Sequence, residues 1–253
     1  MNHKPWQAIF KMHKMDKHDF SKTPFIIEAE QIKIATLAFK TTGEREVRVL
    51  CKQDSREDRP NVFVENNLFI LPIKNGIYTI LQGEGYIDIP EITSEIIPYK
   101  SKLDFELETS KIGNSEMQHL DFAYASSLIR TFLNDQSLVL TIRGRKYTPK
   151  FDFIAGKFKQ KITVESVQTE VDAGYEGKEQ IVLIEAKNSE TKNTIIRQLY
   201  YPFRQWQIHS KKQVKVLFFE KRDNIYSLWS FEFKDVNNYN SIKLVNSARY
   251  AIV

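Results

Sequence analysis

The stretch "IVLIEAKN", residues 181–188, decides how the chain is read. Four aliphatic residues lead straight into Glu185, Ala186 and Lys187. The run is too short and too β-branched for a helix of its own, and it reads as a central strand covered on both faces. Alternate side chains of a strand share a face. Glu185 and Lys187 therefore point the same way, with Ile181 and Leu183 behind them, while Ala186 points opposite. Such a tip is either a solvated strand end carrying a weak ion pair or a chemical site.

The preceding segment favours the site. In "VQTEVDAGYEG", residues 167–177, Asp172 lies 13 positions before Glu185. Gly174 to Gly177 are expected to form a turn, so that the two segments pair as a ribbon and Asp172 comes near Glu185. Two carboxylates can hold Mg²⁺, a hard cation that takes oxygen ligands and keeps some of its waters. Such an ion lowers the pKa of a bound water and stabilises charge on a phosphoryl oxygen. A lysine beside it can position that water, and the set suits phosphodiester hydrolysis. Which upstream acid serves stays open: Glu170 shares the face of Asp172, and Glu176 is close in sequence.

Around this ribbon the chain divides near residues 100–114. Residues 1–111 read as a β-rich N-terminal domain after a short helix in "KPWQAIFKMHKM". The supporting runs are "KIATLAF", "EVRVLC", "NVFV", "LFILPI", "GIYTILQ" and "YIDIP", with turns at Asn66, at Asn75 and Gly76, and at Gly83 and Gly85. Residues 112–253 alternate differently. Met117, Leu120, Tyr124, Leu128 and Phe132 fall at helical spacing behind Ser115 as N-cap. Strands follow, "QIVLIEAK" among them. A second helix then carries Ile195, Leu199, Phe203 and Trp206 on one stripe, with Pro202 expected to kink it or to start another. "QVKVLFFEK" and "NIYSLWSFEFKD" close the chain as strands joined by an Asp223–Asn224 turn. The fold class expected is α/β, a mixed β-sheet with a helix on each face.

Composition agrees. The 253 residues are 42% hydrophobic and 27% charged, enough for an ordinary core. No run approaches the roughly 18 apolar residues of a membrane helix, and "MNHKPWQAIFKMHK" carries no apolar secretory stretch. With the single Cys51, this gives a cytoplasmic expectation and no membrane partner. A net charge of +5 permits a polyanionic partner. Arg143, Arg145, Lys146 and Lys150, with Tyr147 among them, read as a phosphate-contacting ribbon or as an ordinary basic hairpin. "CKQDSREDRP", residues 51–60, is a solvated loop or one that reads base edges. The histidines lack metal-ligand spacing. A phosphate-cradling Gly–Lys loop and a Gly–x–Ser–x–Gly elbow are absent, so an ATPase or serine hydrolase is unsupported.

The pattern Asp172, Glu185–x–Lys187 resembles that of the PD-(D/E)XK nuclease superfamily, with Val171 where the superfamily's name has proline. The order helix, motif-bearing strands, helix, strand is similar to its αβββαβ core. Gln198 and Tyr201 in "RQLYYP" resemble a Gln–x(2–3)–Tyr element of its exonuclease-like members. "TIRGRKYTPKFDF", "RQLYYPFRQW" and "YNSIKLVNSARY" look like a group of bacterial type II restriction endonucleases. The resemblance implies a restriction-endonuclease-like core and Mg²⁺-dependent, sequence-specific cleavage of double-stranded DNA. Asp172 and Glu185 would ligate the metal, Lys187 orient the attacking water, and Gln198 support the site. Arg143, Arg145, Lys146, Lys150 and Arg197 would contact phosphates. Cutting both strands fits a homodimer, with a sequentially nicking monomer as the alternative. The rival functions are a structure-specific or single-strand repair nuclease on the same core, and a non-catalytic DNA-binding module.

Overall fold

The computed structural model describes residues 2–253, apart from the side chain of Lys111. The N-terminal part runs α1 (His3–Met12), β1 (Phe25–Glu28), α2 (Ala29–Ala35), α3 (Thr42–Arg45), α4 (Val47–Leu50), α5 (Asn61–Glu65), β2 (Leu68–Lys74) and β3 (Ile77–Gln82). Its three strands form an antiparallel sheet in the order β1-β3-β2. Trp6, Phe10, Ile32, Val47, Leu50, Phe63 and Ile80 close one core between helices and sheet.

This corrects the β-rich expectation. "KIATLAF", "EVRVLC" and "NVFV" lie wholly or mainly in helical turns. The buried positions there, Ile32 with Ala35 and Val47 with Leu50, recur at three residues, a helical interval. Runs this short look the same to a period-two and a period-3.6 template. The β2–β3 hairpin is as expected, with Gly76 at φ 73 in its turn.

The rest of the chain builds a seven-stranded sheet. Two short strands, β4 (Tyr86–Asp88) and β5 (Ile97–Tyr99), precede α6 (Glu116–Ala125) and α7 (Leu128–Phe132). Then come β6 (Val139–Tyr147), β7 (Phe151–Ala155), β8 (Gln160–Val164), β9 (Gln168–Glu176) and β10 (Gln180–Lys187). After β11 (Asn193–Ile195) and α8 (Arg197–His209), the chain ends with β12 (Gln213–Arg222), β13 (Ile225–Phe233) and β14 (Ile242–Ile252). The large sheet runs β5-β14-β13-β12-β10-β9-β6 and is mixed: β10 lies parallel to β12 and antiparallel to β9.

A helical layer covers each face of β10. Ile181 and Leu183 pack towards Leu199 and Phe203 of α8. Val182, Ile184 and Ala186 pack towards Leu120, Ala123, Leu128 and Ile129 of α6 and α7. Ser115 caps α6 by accepting the Gln118 N–H at 3.2 Å. The single helix expected over α6 and α7 is broken at Ser127, which turns left-handed at φ 67. Conversely, α8 continues through Pro202. Its neighbours Leu199, Tyr200, Tyr201 and Phe203 are buried, and their packing outweighs the roughly 3 kcal/mol that an interior proline costs.

The ribbon forms, but its turn falls at 177–179 rather than at Gly174. Gly177 N–H donates to Gln180 O at 2.8 Å, while Gly174 sits inside β9 opposite both Leu183 and Ile142. A Cβ at Gly174 would lie 2.6 Å from the Cβ of Ile142. Gly174→Ala is therefore expected to destabilise the chain by about 1–3 kcal/mol through overpacking, read as a lower midpoint in chemical denaturation. An unchanged midpoint would show that the β6–β9 pairing yields freely.

Candidate active site

Strand pairing brings the sequence-predicted acids and lysine together. Asp172 on β9 accepts the Ala186 N–H of β10 through Oδ2 at 2.8 Å. Its carboxylate is thereby fixed against the strand that carries Glu185 and Lys187. Lys187 Nζ lies 2.5 Å from Glu185 Oε1 and donates to Ala186 O at 3.1 Å. The side chain of Glu185 is 11% exposed and that of Lys187 27%. The three groups end in an open cleft of about 720 Å³.

Burial sets the electrostatics. It pushes Glu185 up to about 7; Lys187 opposes the rise, and Asp172 and, more weakly, Asp54 add to it. Burial also raises Asp172 above the ordinary aspartate range, against the Ala186 N–H and the Lys187 charge. On Lys187 burial acts downward and is the largest single influence, but Glu185, Glu116 and Asp172 together offset it and the amine is raised. The two acids thus share a shielded place in which a cation would be favoured. Hard carboxylate oxygens with room for water suit Mg²⁺. Among the described residues no cluster of three or more His, Cys, Asp or Glu forms a ready-made metal cage, and the protein oxygens at this place come from the two carboxylates.

The open choice of upstream acid narrows. Glu176 lies at the far end of β9, 2.5 Å from Lys212 Nζ. Glu170 lines the cleft but is exposed and paired with Arg145 at 3.3 Å. Gln198, in the first turn of α8, also lines the cleft, and its Oε1 accepts the Thr194 hydroxyl at 2.6 Å. Arg197 lines it too, 3.5 Å from Asp54 Oδ1. Tyr201 does not: it is fully buried and donates to Pro72 O at 2.9 Å.

The basic ribbon is placed differently. Arg143, Arg145, Lys146 and Lys150 are not among the residues lining the cleft, although Tyr147 is. Arg143 is ion-paired with Asp121 of α6, Arg145 with Glu170, and Lys146 lies over the Trp206 ring at 5.9 Å. Lys150 is exposed. Gly144 makes no chain reversal; its φ of 76 accompanies a register shift within the β6–β9 pairing.

Two further acids line the cleft. Glu116, at the start of α6, acts on the Lys187 charge; the sequence reads it as part of a solvated helical face. Asp54, from the loop after α4, lines it as well, and nothing in its own segment singles it out. Glu220, paired in register with Lys187, is buried and lies outside the cleft; it accepts the Thr191 N–H at 3.0 Å and the Arg222 Nε–H at 2.6 Å, so it holds the loop that follows Lys187.

The chain belongs to the family described as Domain of unknown function (DUF6997), whose model matches residues 81–251. A second model, Domain of unknown function (DUF6996), matches residues 3–80. No curated protein and no solved structure matches the chain.

The pH dependence of folding tests the buried carboxylate. Glu185 keeps its proton up to about pH 7 in the folded chain, against an ordinary glutamate value of 4.5. Between these values the folded state binds more protons than the unfolded state, so stability falls as pH rises. Lys187 is charged throughout this window and adds no slope. In metal-free buffer, Glu185→Gln should remove up to about 3 kcal/mol of this decline between pH 4.5 and pH 8. Thermal midpoints across that range measure it, and parallel curves for both proteins would refute the assignment.

Proposed function

We propose that the protein is a Mg²⁺-dependent DNA endonuclease of the site-specific, restriction type. The observation that carries this reading is the meeting of Asp172, Glu185 and Lys187 at the end of two paired strands, in an open cleft. A restriction-endonuclease-like core, a cytoplasmic setting and a homodimer that cuts both strands belong to the same reading.

Asp172 and Glu185 would hold the ion between them. When bound, Mg²⁺ supplies a lowered water pKa and stabilises charge on the phosphoryl oxygen. Lys187 is fixed by Glu185 and by Ala186 O, and from there its ammonium orients the attacking water and offsets the charge that builds at phosphorus. Gln198 is held by Thr194 at the rim and supports the scissile strand or the carboxylates. Arg197 begins a 13-residue helix, where the backbone dipole also favours a phosphate. The Arg143, Arg145, Lys146 and Lys150 ribbon remains in this reading as a more distant contact to the backbone of a long duplex.

Purified protein with Mg²⁺ should cut mixed plasmid DNA into discrete bands, and chelation should stop it. Lys187→Ala should slow cutting by at least ~10², and Asp172→Ala or Glu185→Ala should abolish it. Cleavage confined to ends or flaps would assign the repair-type alternative. No magnesium-dependent cutting by the wild type, or undiminished cutting by Lys187→Ala, would end the catalytic reading.

A further inference from the structure

The cleft that holds Lys187 is also lined by the N-terminal unit. Arg48 of α4, Lys52 just after it, and Lys74, Asn75 and Gly76 of the β2–β3 turn make up its wall there. All three cations are exposed. Among the described residues, Arg48 and Lys74 have no ion-pair partner. Lys52 has Asp54 at 3.6 Å, and at 72% exposure that contact holds it weakly. The rest of the lining carries Glu116, Glu170, Asp172 and Glu185 against two cations, Lys187 and Arg197, both of them already paired. A polyanion entering the cleft would therefore draw its attraction chiefly from the less engaged cations of the N-terminal unit.

The wall is also held in place. Asp54 O accepts the Ile195 N–H at 2.8 Å. Asn193 Oδ1 accepts the Arg56 N–H at 2.7 Å, and Asn193 Nδ2 donates to both oxygens of Glu57. Tyr201 of α8 donates to Pro72 on β2. These bonds tie the loop after α4 and the hairpin to the start of α8, beside the motif. The basic wall therefore stands at a fixed separation from Lys187 before any ligand arrives.

The charge placed here fits a phosphate backbone. Arg48 lies on α4 and Lys52 just after it, on the same cleft as the β2–β3 turn. The hairpin turn beside them offers Lys74 to a flanking phosphate. We propose that residues 48–52 and the β2–β3 turn form the duplex-binding face of this protein, placing the bound DNA backbone against Lys187. The inference rests on the nuclease reading for its purpose but not for its test.

That test is binding in chelator, where no cleavage occurs. Labelled duplex, single-stranded DNA and RNA of equal length are titrated with wild type, with Arg48→Ala/Lys52→Ala/Lys74→Ala, and with Lys211→Ala/Lys234→Ala/Lys243→Ala, a control that removes the same charge from residues outside the cleft. Unchanged circular dichroism and thermal midpoint establish that the triple variant folds. The expected result is duplex binding by the wild type and the control. The triple variant should bind at least ~10-fold more weakly, with a salt slope lower by about 2–3. Equal binding by the triple variant, a preference for single strands or RNA, or no duplex binding by the wild type would each overturn the proposal. Should the variant misfold, the single changes Arg48→Ala and Lys74→Ala take its place, each expected to weaken duplex binding and lower the salt slope by about 1, and an unchanged slope in both overturns the proposal. Duplex binding through this face without magnesium-dependent cutting would leave the inference standing and remove the nuclease reading; cutting with an indifferent triple variant would do the reverse.

Discussion

The site depends on a backbone N–H. Ala186 faces away from the cleft and its methyl group is buried, yet its amide is the group that fixes Asp172. That hydrogen bond exists only because β9 and β10 pair in one register, set by the turn at 177–179. A slip of one residue would send Glu185 and Lys187 into the layer beneath α6 and α7 and bring Ala186 to the cleft. The apolar run behind them resists such a slip, since Ile181 to Ile184 already fill both cores. The aliphatic residues of the opening stretch therefore act on the chemistry indirectly: they hold the charges in register.

Holding the charges there has an energetic consequence. A carboxylate that is nearly enclosed in protein favours its neutral form, and Glu185 is pushed up to about 7 with Lys187 already beside it. One ammonium does not neutralise two acids. On the proposed reading, a further cation would relieve the remaining imbalance. Ordinary structural ion pairs are built the other way, with each charge matched, as at Lys212 with Glu176.

How much of this was legible in the sequence follows from range. Period-two alternation in 181–187 places Glu185 and Lys187 on one face, and the short ribbon brings Asp172 to them; both are local relations. The two helical layers were legible for the same reason, through Leu120 and Leu128 on one side and Leu199 and Phe203 on the other. Of the N-terminal helices α1 was, in "KPWQAIFKMHKM", and α2 to α5 were not, because runs of four to seven residues carry less than two helical turns of pattern. The surroundings of the basic ribbon were not legible, since Asp121, which pairs with Arg143, lies on a different element 22 positions away. Asp54 stands still further from Glu185 in sequence, and nothing in "CKQDSREDRP" marks which acid turns inward.

The two parts of the molecule are best understood as one electrostatic problem. On the proposed reading, a nucleic-acid backbone would bring negative charge to a place already crowded with Glu116, Glu170, Asp172 and Glu185. A divalent ion can offset that repulsion at one phosphate, but it acts locally, and the duplex extends well beyond its reach. Cations of the N-terminal unit would act over the next phosphates, where the ion does not. If those cations were free to drift, their field would orient nothing; the ties from Asp54, Asn193 and Tyr201 keep them in step with the acids. On the proposed reading, the same contacts that join residues 3–80 to the large sheet determine which phosphodiester lies against Lys187. The position of the cut is then a property of the junction between the two parts and belongs to neither part alone.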